Sequence, residues 1–206
     1  MKKTLLSLLV LAFATTTAFA DYWEQKIIPN TGNYILGIRI FGGNLYRATQ
    51  NDGVHKSTDG GITWFDYSTG IRGNQNMHGL EIHNNSLWAC SYGYGVYVLN
   101  TTNNTWEERS TGLPSTYKVW HLISVGTNLI AGCWSSNSAE NGTYMTTNNG
   151  INWTRTSTVS MNDFTFGNGE VWGASGNYCY KSTNYGASWT NVTVTGYPTI
   201  NCVSRA

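Results

Sequence analysis

A period of 42 residues organises this chain. The segments GNLYRAT, NSLWACS, TNLIAGC and GEVWGAS align so that Leu45, Leu87, Leu129 and Val171 fall 42 residues apart each time. A unit of this length cannot bury its apolar face alone, so such repeats stack on their neighbours and share a core between copies.

Ahead of each match lies an alternating segment, ILGIRIF, MHGLEIH, VWHLISV or MNDFTFG, with apolar residues at every second position as in a strand. Turn residues follow at Gly43-Asn44, Asn84-Asn85, Gly126-Thr127 and Gly167-Asn168-Gly169. A third strand comes next (GVHKS, GVYVL, GTYMT, NYCYKS), and a fourth begins at Trp64, Trp106, Trp153 and Trp189. Four short strands in about 40 to 45 residues make the blade of a β-propeller. The expected fold is therefore all-β, a propeller of four-stranded antiparallel blades with four complete repeats.

Fragments flank those repeats. Trp23–Ile28 matches only a fourth strand, and TINCVSRA at 199–206 only a first, so that Ala206 aligns with the mid-strand residues Ile38, Leu80, Leu122 and Phe164. An unpaired strand at that point invites aggregation, and further blades are expected beyond it, in a ring of about six to eight.

The hinge before the fourth strand carries a recurring octapeptide: STDGGITW at 57–64, TTNNGINW at 146–153 and STNYGASW at 182–189, with a decayed LNTTNNTW in the second repeat. It resembles the Asp-box of sialidase-type BNR repeats, S-x-D-x-G-x-x-W. From Trp23 to Ala206 the chain is similar to Asp-box propellers, among them photosystem II assembly factor-like and sortilin-like proteins. In such families the boxes are structural and remote from the active site, and the residue types here suit that role. Ser57, Thr146 and Ser182 supply a hydroxyl across the turn; Asp59, Asn148 and Asn184 supply an acceptor oxygen. Gly61, Gly150 and Gly186 permit positive φ, and Trp64, Trp153 and Trp189 bury a ring beside the next sheet. Carboxylate chemistry would not survive the change from Asp to Asn, whereas a turn does.

If the boxes mark one end of each blade, the loops joining second to third and fourth to first strands mark the other. Those loops vary most between repeats, as ligand-binding loops do on a repeated scaffold. Arg72, His78, Tyr92, Tyr94, Tyr117, His121 and Trp134 are the expected ligand-binding residues there, accompanied by Asn51, Asn74, Gln75, Lys118 and Trp120. Aromatic rings beside amides and a few charges suit a glycan, a peptide or a protein partner. No catalytic residue is assigned. Asp52, Glu140 and Asp163 are the loop carboxylates that a glycoside hydrolase, the alternative function, would draw on. A sialidase would also need an arginine cluster, and Arg39 in GIRIF lacks the proline of that motif.

Composition narrows the setting. Residues 1–20 have the basic start, short apolar run and small-residue end of a secretory signal peptide, leaving 21–206 as the propeller domain of a periplasmic, cell-surface or secreted protein. Removing Lys2 and Lys3 from 12 Lys and Arg leaves ten against 11 Asp and Glu, with no basic footprint for nucleic acid. No later stretch has the length of a membrane span. Cys90, Cys133, Cys179 and Cys202 show neither CxxC nor Cys/His spacing and read as small buried strand residues, with disulfides left open. P-loop, HExxH, GxSxG and EF-hand patterns are missing, so no cofactor or metal is expected.

Overall fold

The computed structural model describes residues 34–73, 76–114 and 116–193. The expected signal peptide, the strand fragments at 23–28 and 199–206, and Asn74, Gln75 and Cys202 lie outside the described residues.

Four four-stranded antiparallel sheets follow one another along the chain, each with its strands in sequence order. The first holds β1 (Ile35–Phe41), β2 (Asn44–Thr49), β3 (Gly53–Ser57) and β4 (Phe65–Asp66). The second holds β5 (Met77–His83), β6 (Ser86–Ser91), β7 (Gly95–Asn100) and β8 (Thr105–Glu108). The third holds β9 (Tyr117–Val125), β10 (Asn128–Ser135), β11 (Gly142–Thr146) and β12 (Thr154–Ser157). The fourth holds β13 (Asp163–Gly167), β14 (Glu170–Ser175), β15 (Tyr178–Ser182) and β16 (Thr190–Thr193). First strands neighbour one another in turn, β1 by β5, β5 by β9 and β9 by β13, so these sheets are successive blades of a propeller.

The core is divided into slabs between blades rather than gathered in one centre. Tyr46, Ala48 and Val54 of the first blade meet Leu80, Leu87, Ala89, Tyr97 and Trp106 of the second. Trp88, Cys90 and Val96 meet Val119, Leu122, Leu129 and Trp153, and Ile130 meets Phe164 and Val171. Strand alternation accounts for this division: on β6, Leu87 and Ala89 face back while Trp88 and Cys90 face forward. The rear face of the first blade meets no further sheet among the described residues. Ile38 is 49% exposed, whereas Leu80, Leu122 and Phe164 in the same register are 2%, 1% and 5% exposed.

Some local expectations shift. The first hairpin turns on Gly42-Gly43, with φ of 55° and 75°, rather than on Gly43-Asn44, because Asn44 already pairs with Phe41. Trp153 is buried, yet its ring lies in the junction with the preceding sheet and not beside the next, since its N–H groups reach back to Arg109 and Thr111. Trp64 and Trp189 are only half-buried. Cys90, Cys133 and Cys179 are free thiols; Cys179 is half-buried, because its blade face meets no further sheet among the described residues.

Candidate functional site

The box hairpins close on themselves. The Ser57 hydroxyl donates to Asp59 Oδ1 at 2.8 Å and accepts from the Gly61 N–H at 2.8 Å, while the Thr63 N–H donates to Asp59 at 2.9 Å. Thr146 repeats the pair with Asn148 at 2.9 Å and Gly150 at 3.0 Å, and Ser182 with Asn184 and Gly186, both at 2.9 Å. Asn152 and Ser188 N–H groups donate to Asn148 and Asn184 just as Thr63 does to Asp59. Hydrogen bonds from Thr63 and Ser57 hold the Asp59 carboxyl down at about 2. The hydroxyl and the acceptor side chain of each box are thus engaged within their own turn.

At the opposite end, the first strands carry a repeated irregularity. Pairing steps from Ile35↔Thr49 to Gly37↔Ala48 in β1, from Met77↔Ser91 to Gly79↔Cys90 in β5, and from Val119↔Cys133 to His121↔Gly132 in β9. Each step leaves one residue out of the ladder, and those residues are Leu36, His78 and Trp120, again 42 apart. A bulge bends the strand and re-aims the side chain of the extra residue. Asn162 continues the series ahead of β13. All four line a cleft of about 280 Å³ along the first strands, together with His121 and Asp163. Sequence reasoning missed this device; the only available sign was the shared register of Leu36, His78, Trp120 and Asn162.

Paired polar side chains from neighbouring blades edge the cleft. His121 Nδ1 lies 2.5 Å from Asp163 Oδ1, and Arg39 Nη2 lies 2.8 Å from Glu81 Oε2. The members of each pair occupy one register position on successive blades. Burial pushes His78 below the ordinary imidazole range, which favours its neutral form.

From the cleft, aromatic contact runs outward over the second and third blades. The His78 ring stacks on Tyr92 at 5.1 Å and meets Trp120 edge-on at 5.0 Å, and Tyr92 meets Trp120 at 5.3 Å. The Lys118 ammonium lies 4.5 Å from the Tyr92 ring centre and 4.3 Å from that of Trp134. Of the expected ligand-binding residues, His78, Tyr92, His121 and Trp134 therefore share one continuous surface. Tyr117 pairs with Ser135 at the start of β9; its side chain lies outside the described residues.

Two other expected contacts lie elsewhere. Arg72 pairs with Glu108 on the outermost strand of the second blade. The Tyr94 ring packs on Gly73, where an added Cβ would fall 1.9 Å from a ring carbon. Both sit at the expected end of the blades but away from the first strands: Arg72 lies in the connection from the outermost strand β4 to β5, and Tyr94 in the hairpin between β6 and β7. The carboxylates also separate. Asp52 lies 3.4 Å from His55 in the first blade, Glu140 accepts from Asn137 and Ser135 in the third, and only Asp163 lines the cleft. Among the described residues no three His, Cys, Asp or Glu side chains gather as a metal site, and no helix is long and apolar enough to cross a membrane.

No family model matches the chain, and no curated protein matches it in sequence. Solved structures do match in shape. An ancestral GH74 enzyme aligns with TM-score 0.60 and 18% identity, over 76% of this chain and 23% of the enzyme. The extracellular domain of the one-component system BT4673 from B. thetaiotaomicron aligns with TM-score 0.68 and 13% identity, over 88% of this chain and 26% of that domain. YCF48 from Cyanidioschyzon merolae aligns with TM-score 0.62 and 12% identity, over 85% and 61%. The fold is a β-propeller. The chain spans about a quarter of the length of the first two structures.

Proposed function

We propose that this chain belongs to an exported β-propeller that binds an extended ligand, a glycan in preference to a peptide or protein, without cleaving it. The observation that carries the reading is the surface running from the His121–Asp163 pair through Trp120, His78 and Tyr92 to Trp134. Sugar rings present apolar faces that stack on aromatic planes, while hydroxyls at their edges take polar partners such as His121, Asp163 and Asn162. The surface belongs to side chains from three blades, and a ligand spanning it reads several of them at once. Hydrolysis by a pair of carboxyl groups needs the two about 5 to 10 Å apart across one bond. Asp163 alone lines the cleft among the described residues, which favours binding over cleavage.

A leader at residues 1–20 and a propeller domain from 21 onward fit this role outside the cytoplasm, and likeness in fold to an extracellular domain is consistent with it. The test is a glycan and peptide array probed with the chain and with Tyr92→Ala, His121→Ala and Trp134→Ala. Glycan binding weakened at least tenfold by two or more of these substitutions supports the reading. Unchanged binding in all three removes this surface from consideration, and sugar release abolished by Asp163→Asn replaces binding with glycoside hydrolysis.

A further inference from the structure

Lys118 holds an unusual position on that surface. Its backbone joins two blades: Lys118 pairs with Trp134 inside the third sheet and forms an isolated bridge with Tyr92 of the second. The side chain repeats this arrangement, with the ammonium between the two rings at 4.5 and 4.3 Å. Tyr92 and Trp134 stand 42 residues apart at equivalent places on adjacent blades, so the slot between them is a product of the repeat, and a cation fills it.

The charge of Lys118 is not otherwise spent. Among the described residues no carboxylate pairs with it, whereas Arg39, Arg72, Arg109 and Lys181 each have an acidic partner. The nearby loop acid Glu140 instead accepts from Asn137 and Ser135. Aromatic faces hold an ammonium by their quadrupole without neutralising it. Trp134 remains 38% exposed, and the pair of rings therefore presents a fixed positive charge beside a stacking plane.

We infer that Lys118, Tyr92 and Trp134 form a subsite for an acidic sugar, a pyranose carrying a carboxylate or a sulfate. The ring of the sugar stacks on Trp134 and its anionic group takes the free N–H bonds of the ammonium. This deepens the proposed glycan reading and rests on it. A neutral glycan would use the indole and leave the cation idle; a cationic ligand would meet repulsion.

The experiment compares four probes on the full chain by calorimetry: hexagalacturonate and its methyl ester, and a sulfated galactan hexasaccharide and its desulfated form. The acidic member of at least one pair is expected to bind about tenfold more tightly than its neutral counterpart, one charge-assisted hydrogen bond in magnitude. That preference disappears in Lys118→Met, which keeps the stem between the rings, and persists within about threefold in Lys118→Arg, which keeps the charge. Equal binding of acidic and neutral probes by the unaltered chain overturns the inference while leaving glycan binding in place. Binding of none of the four overturns the inference and removes support for the glycan reading. A preference that survives in Lys118→Met, with its fluorescence spectrum and thermal midpoint unchanged, assigns the charge to another residue and also overturns it. Which pair shows the preference identifies the anionic group.

Discussion

The indole N–H of Trp153 donates to the main-chain carbonyl of Arg109 at 2.7 Å, tying the third blade to the end of the second. Trp106 does the same one repeat earlier, donating to the carbonyl of Tyr67 at 2.7 Å. Their backbone N–H groups reinforce each link by donating to Thr111 and Thr69. Trp153→Phe keeps an aromatic ring and leaves the Arg109 carbonyl without its partner, a loss of about 1–3 kcal/mol. Trp153→Ala adds a cavity in the slab between blades and raises the loss to about 3–5 kcal/mol. Urea titration followed by circular dichroism gives both values; equal losses would show that ring volume contributes nothing.

The boxes separate hydroxyl from carboxylate. Ser57 is fully buried and receives the Gly61 N–H, so Ser57→Ala strands that donor and destabilises the fold by about 1–3 kcal/mol. Asp59→Asn preserves the acceptor, as Asn148 and Asn184 do in their own turns, and lowers the unfolding midpoint at pH 7 by less than Ser57→Ala does. With its carboxyl held at about 2, Asp59 contributes stability that is present above the usual carboxylate range and lost as pH falls toward 2. Acid titration of Asp59→Asn therefore lacks that component, and a midpoint drop at pH 7 comparable with that of Ser57→Ala would refute the division.

Histidine sets the mildly acidic limb. Burial pushes His55, His78 and His83 below the ordinary imidazole range, with Arg47 adding to the effect at His55. The His83 ring lies 2.9 Å from the Ser124 hydroxyl and accepts from Asn84 at 3.1 Å, an arrangement suited to the neutral form. A lowered pKa means that the unfolded chain binds more protons, so stability falls as pH drops below about 6.5. Urea midpoints at pH 7.5 and 5.5 measure this fall, and His83→Gln diminishes it. Identical midpoints at the two pH values would contradict the account.

Position within the repeat is not enough to predict the cost of a core substitution. Leu122 and Ile38 are equivalent by register, yet Leu122 is packed between two sheets and Ile38 is half in solvent. Leu122→Ala is expected to cost about 2–5 kcal/mol. Ile38→Ala costs under about 1 kcal/mol, because little apolar area returns to water. Thermal midpoints of the two variants, measured side by side, test the difference.

The architecture was legible because period, turn residues and alternation all report the same geometry. Gly126 and Asn168-Gly169 sit where the hairpins turn, and Leu87 and Leu129 mark successive slabs. The site was half legible. Loop variability places a residue at the correct end of a blade but says nothing of its distance from the axis, and Arg72 and Tyr94 therefore fell away from the first strands. Bulges leave no mark of composition: His78 and Trp120 look like any strand residue until the pairing is known. The contact of Lys118 with Tyr92 and Trp134 depends on how closely two sheets approach, a quantity fixed by the slab beneath them rather than by any local motif.

The bulge has an evolutionary reading. A residue outside the ladder can be exchanged without disturbing the pairing on either side, and this chain holds an aliphatic, an imidazole, an indole and a carboxamide in that series at Leu36, His78, Trp120 and Asn162. Duplication of one ancestral blade would have supplied identical positions around the axis. Drift at a single codon per copy then diversifies the recognition surface while the scaffold pays nothing in folding.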